Sequence, residues 1–219
     1  VRAIAGLAHA RGALMHVDAA QAVGKVAVDV NALGADLLTL AGHKFYAPKG
    51  IGALYVRSGV ALEPIQHGAG HEHGLRPGTE NVPHVVALGE AARLARTALA
   101  QEAPRMAALR DRLHRQLAAA IPGLELNGHP TERLPNTLNV SFPAAAGWDV
   151  LAAAAGVAAS TGSACHAGGQ ATSGVLAAMG LTPEAAAGAV RLSVGRFTAE
   201  AEIDAAAHAL IGAWKRLAE

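Results

Sequence analysis

Two apolar runs on either side of a polar loop constrain the fold of this chain more than any other feature. Residues 36–40 and 52–57 are short, mostly apolar and suited to strands, and the loop between them opens on "GHK", residues 42–44. A lysine at the end of a buried strand is costly to bury unless something uses its amine. Upstream, a helical pattern at about 2–11 stops at Gly12 ahead of a strand at 14–17. A short helix near 30–33 stops at Gly34. Nearly continuous apolar strands alternating with helices point to an α/β sheet covered on both faces.

The rest of the chain keeps this alternation. Residues 66–80, "QHGAGHEHGLRPGTE", have no periodicity and read as a loop. A long helical pattern spans 82–120, with a kink expected at Pro104. Strands at 124–126 and 138–141, a helix from Trp148, a glycine-rich loop at 161–169, further helices, a strand at 190–194 and a last helix at 199–217 follow. A change of character inside the long helix puts a boundary near residue 100, giving regions 1–100 and 101–219.

Composition narrows the function classes. With 52% hydrophobic and 16% charged residues, the 219-residue chain is globular. A net charge of +1 leaves no footprint for nucleic acid or an anionic membrane, and no apolar stretch reaches the roughly 18–20 residues of a membrane span. One cysteine excludes an internal disulfide and suggests a reducing compartment, hence a cytoplasmic location. The chain opens on an amphipathic helix pattern with no leader, which reads as a start in mid-domain.

Four groups of residues carry possible chemistry. Asp18 in "HVDAAQ" and Lys44 in "GHK" each follow a predicted strand, and the carboxyl ends of parallel strands share a crevice. The pair is either a salt bridge at the strand ends or a pyridoxal phosphate (PLP) site. In the second case the lysine forms a Schiff base with the aldehyde and the aspartate pairs with the pyridinium nitrogen. Gln21 then reaches the phenolic oxygen and His43 the phosphate. Cys165 in "STGSACHAGG" sits among small residues, as an accessible nucleophile would, with His166 beside it; a lone cysteine is otherwise a small core residue. Arg191 and Arg196 flank an apolar strand, and Arg191 needs a partner, either a substrate carboxylate or an internal acid. His67, His71, His73 and His84 could ligate zinc, but the flexible glycines around them and the lack of helical spacing favour a loop whose backbone and Thr79 approach a ligand.

In order along the chain, "HVDAAQAVGK", "GHKFYAPKGIGALYV", "HGAGHE…RPGTEN", "RLPNTLNVSF", "STGSACHAGG" and "VRLSVGRFT" resemble the cysteine desulfurases, PLP enzymes of the class V aminotransferase group. The resemblance implies the PLP-dependent transferase fold type I. Residues 1–100 would be the C-terminal part of the large α/β domain, and 101–219 the small C-terminal domain that carries the cysteine loop. It implies Lys44 as the PLP lysine, Asp18 as the pyridinium partner, Gln21 at the ring hydroxyl, and His43 at the phosphate. Thr79 would reach the phosphate of the neighbouring subunit in a homodimer. Cys165 would be the persulfide-forming nucleophile and Arg191 the substrate carboxylate clamp, with no metal.

The implied reaction takes sulfur from L-cysteine, leaves L-alanine, and passes the persulfide to an acceptor protein for iron–sulfur cluster or thio-cofactor supply. The residues between Cys165 and Ser173 resemble the long-loop class that hands sulfur to scaffold partners. "RPGTEN" and "ACH" also resemble selenocysteine lyases, so L-selenocysteine is the alternative substrate. Ala41, Ala69 and Thr172 stand where relatives commonly carry Ser, Gly and Pro. The family's phosphate-cradling loop and ring-stacking histidine have no counterpart in this sequence, so the chain by itself is expected to hold PLP weakly or not at all. A non-catalytic partner chain of such an enzyme and a zinc-binding module are the two readings from other classes.

Overall fold

The computed structural model describes residues 1–162 and 173–218. Within it the chain forms two compact units, Val1–Ala100 and Gln101–Glu219. The first unit holds α1 (Arg2–His9), β1 (His16–Asp18), α2 (Val30–Leu33), β2 (Leu37–Ala41) and β3 (Gly52–Val56). It also holds 3-10 turns at Gly42–Phe45 and Glu72–Gly74. Helix α3 runs from Val82 to Ala120, and the division between the units falls inside it.

Local chemistry explains where these elements start and stop. The Asp29 carboxylate accepts hydrogen bonds from the Asn31 and Ala32 amides, and Gly34 takes a left-handed φ of 68°, so α2 is capped at both ends. Strand β1 lies later than the expected 14–17. The Met15 amide donates to Asp36 Oδ2 at 2.8 Å, and the Met15 carbonyl accepts from the Asp36 and Leu37 amides, so ladder pairing opens only at His16. Leu14, outside the strand, is exposed.

The sheet has the order β1-β2-β3, with β1 and β2 parallel and β3 antiparallel to β2. Val17, Leu38 and Tyr55 lie in one row across it and pack with Ala19 and Ala35. The expected cover on both faces is not supplied by the described residues. Their apolar cover lies over the Val17 and Leu38 face, and on the other face Leu54 of β3 is 47% exposed. Strand periodicity of two separates the rows, so an apolar run alone does not say that both faces are buried.

The second unit contains residues 101–120 of α3, β4 (Glu125–Leu126), β5 (Thr137–Ser141), α4 (Gly147–Ala153), α5 (Gly174–Ala178), α6 (Pro183–Ala187), β6 (Ala189–Ser193) and α7 (Glu200–Ala218). Its sheet is antiparallel throughout, in the order β4-β5-β6. Met106, Leu109, Leu113 and Leu117 form a helical stripe on α3, and Ile203, Ala207, Leu210 and Ala213 form one on α7. Both stripes pack with Leu138, Val140, Val190 and Leu192, the alternate residues of β5 and β6. Pro104 does not end α3; it lies on an exposed position, where the carbonyl it leaves without an amide partner can meet water. Arg112 holds Asp204 through two bonds of 2.7 and 2.8 Å, Gln116 adds a third of 2.7 Å, and together they hold the Asp204 carboxyl down at about 2. No helix among the described residues is long and apolar enough to cross a membrane.

Asp36 ties the start of β2 to its surroundings, since His9 Nε2 lies 2.7 Å from the same Oδ2 that the Met15 amide reaches. Those two bonds, the Met15 amide first, hold its carboxyl below the ordinary range. Its contribution to stability is therefore complete above the unfolded value of about 3.9 and drains away as pH falls below it. A series of urea midpoints from about pH 6 to about pH 3 should fall more steeply for the wild type than for Asp36→Asn. Equal slopes would contradict this role.

Candidate functional site

Parallel pairing sets the carboxyl ends of β1 and β2 side by side. Asp18 closes β1 opposite Thr39, and the Ala19 amide extends the pairing by donating to the Thr39 carbonyl at 2.9 Å. Asp18 Oδ1 accepts from the Ala20 amide at 2.9 Å, starting the turn that exposes Gln21. Oδ2 of Asp18 has no partner among the described residues. The salt-bridge alternative is not realised: Asp18 and Lys44 form no ion pair.

Beyond Ala41 the chain enters the 3-10 turn Gly42–Phe45. With three residues per turn, positions 42 and 45 share a face. That face is buried, and His43 and Lys44 are left exposed. Phe45 packs with Ala47, Ala91, Leu40, Ile51 and Leu88. Gly42 is required by space, since a Cβ there would lie 2.8 Å from the Ile51 carbonyl oxygen and 3.0 Å from the Ala47 Cβ. Tyr46 leaves the turn with a left-handed φ of 74°, and its amide and that of Ala47 return to the Gly42 carbonyl.

Asp18, Gln21, His43 and Lys44 thus gather at the carboxyl ends of two adjacent parallel strands, the position where α/β sheets bind ligands. The set contains a carboxylate with a free oxygen, an amide, an imidazole and an exposed amine, and these match a pyridine nitrogen, a phenolic oxygen, a phosphate and an aldehyde. The donor set fits PLP. Thr79 lies exposed in the stretch after the Glu72–Gly74 turn and hydrogen bonds to none of these four residues. Beside it, Glu80 accepts from His71 Nδ1 at 2.9 Å. His71 is occupied by that contact, and among the described residues no three His, Cys, Asp or Glu side chains converge as a metal site requires.

In the second unit, Arg191 lies on β6 opposite Asn139. Val190 and Leu192 point to the core, so Arg191 takes the other face and is half-buried. No internal acid pairs with it among the described residues. Ser160 exchanges two backbone bonds with Arg191, at 2.7 and 3.3 Å, and its Oγ closes a small turn on Gly162. The entrance to the glycine-rich loop is therefore fastened to the strand that carries Arg191. Cys165, His166 and Thr172 lie outside the described residues.

Sequence reasoning passed over Lys25. It is only 6% exposed, and its ammonium donates to the main-chain carbonyl of Lys44 and, at 3.4 Å, to that of Val23. The signal was a lysine set in the apolar stretch "AVGKVAV".

Residues 1–206 match the family described as Aminotransferase class-V. "Cysteine desulfurase 2" of Trichormus variabilis is 51% identical over 195 residues, covering 88% of this chain and 49% of that protein. "Cysteine desulfurase IscS" of Pseudomonas aeruginosa is 46% identical over 224 residues, covering all of this chain and 54% of that protein. A solved structure titled a NifS-like protein superposes with a TM-score of 0.83 at 35% identity, over 92% of this chain and 52% of that one. The chain spans about half the length of the curated relatives it matches.

Gly42→Ala should lower stability by about 1–3 kcal/mol, because the main chain of Ile51 cannot yield as a flexible side chain would. Urea unfolding measures it, and an unchanged midpoint would mean that the turn is not held as described.

Proposed function

Because the chain belongs to the class V aminotransferase family, whose members depend on PLP, we propose that it carries the chemistry of a cysteine desulfurase. In this reading residues 1–100 are the C-terminal part of the large PLP-binding domain, and 101–219 form the small domain with the cysteine loop. The relatives named cysteine desulfurase support it. The observation that carries it is the parallel pairing that brings Asp18 and Lys44 to one end of the sheet with no ion pair between them.

Each residue has a distinct task. Lys44 would hold PLP through its amine and would move protons at the substrate carbons. The Asp18 carboxylate pairs with the pyridinium nitrogen and keeps it protonated, and Gln21 donates to the ring oxygen. His43 binds the phosphate, and Thr79 binds that of the other subunit in a homodimer. Arg191 clamps the substrate carboxylate. PLP, when bound, supplies an electron sink for charge at the substrate carbons.

Cys165 acts as a thiolate. It forms an S–S bond to the sulfur of L-cysteine as the substrate's C–S bond breaks. The electron pair stays with the substrate carbon, a proton delivered there completes L-alanine, and Cys165 keeps the persulfide. An acceptor protein then takes the sulfur for iron–sulfur cluster or thio-cofactor supply, in the cytoplasm.

In the PLP-loaded protein, Cys165→Ser should keep the cofactor absorbance while sulfide release from L-cysteine falls by more than about 100-fold. Wild-type release in that variant would remove the assignment.

A further inference from the structure

Lys25 is buried and carries a charge. No carboxylate among the described residues lies within ion-pair distance of it. An ammonium in that position is costly unless its protons are satisfied, and a lysine with this reach usually extends to water instead. Here it turns inward onto the carbonyls of Lys44 and Val23. The Lys44 carbonyl lies near the end of the 3-10 turn, where carbonyls lack helical partners and a cation is favoured. Burial first, and then repulsion from the Lys44 ammonium, push the Lys25 amine below its ordinary value.

We propose that Lys25 is a positioning residue for Lys44: by pinning the Lys44 carbonyl, it fixes the turn from which the Lys44 side chain works. This rests on the reading of Lys44 as the residue that anchors PLP. The turn then has three fastenings. Gly42 is pressed against Ile51, Phe45 sits in its apolar cluster, and Lys25 holds the peptide between them. The side chain of Lys44 stays in solvent while its main chain is held from inside, which is what a reactive amine on a short turn needs.

Hydrogen exchange and steady-state turnover of wild type, Lys25→Met and Lys25→Arg test this. The Tyr46 and Ala47 amides donate to the Gly42 carbonyl. In Lys25→Met they should exchange about tenfold faster, while β1 and β2 keep their protection. In the same variant kcat per bound PLP should fall about tenfold with the KM for L-cysteine unchanged. Lys25→Arg, which keeps a charged donor, should recover more than about half of the wild-type kcat. Unchanged exchange in Lys25→Met overturns the proposal. So does faster exchange spread evenly over the whole unit, or an unchanged kcat per bound PLP. The exchange experiment needs no PLP, so failure of the Lys44 reading shows separately, as L-cysteine turnover that survives Lys44→Ala.

Discussion

The parallel ladder between β1 and β2 is the constraint on which the site depends. Its register, Val17 against Leu38 and Asp18 against Thr39, fixes where a carboxylate stands relative to the end of the neighbouring strand. The side-chain period is two, so a slip of one residue would turn Asp18 toward the buried row and Val17 away from it. Burial of Val17 and Leu38 in one cluster opposes that slip. The Gly42–Phe45 turn then converts the end of β2 into a platform, with its apolar positions inward and His43 and Lys44 outward.

The second unit solves a different problem, which is how to keep an arginine half-buried with no acid paired to it among the described residues. Stripes from α3 and α7 cover one face of the antiparallel sheet with apolar side chains. Alternation along β6 leaves Arg191 on the other face, and its backbone bonds to Ser160 hold the strand there. In the proposed function this guanidinium is the one that clamps the substrate carboxylate.

Much of this was legible in the sequence, for identifiable reasons. The strand ending near Leu40, the helix at 30–33 and its stop at Gly34 rest on local chemistry, and local chemistry can be read directly. The start of β1 is not legible locally, because it depends on Asp36, a residue distant in sequence that takes the Met15 amide. Cover on both sheet faces is not legible either, because apolar content cannot tell one buried row from two. The lysine inside "AVGKVAV" is a weak signal, because a glycine–lysine pair in an apolar stretch usually marks a surface turn; only the three-dimensional path of the chain brings its amine under Lys44. For Asp18 and Lys44 the salt-bridge and cofactor readings stood open in the sequence, and the absence of an ion pair between them removes the first.

The most direct test of the Lys44 assignment is to incubate the protein with PLP, reduce with borohydride and map the labelled peptides. The label should concentrate on Lys44 even at low occupancy, vanish from that peptide in Lys44→Ala, and weaken in Asp18→Ala. A label no stronger at Lys44 than at the exposed Lys49 and Lys215 would contradict the account.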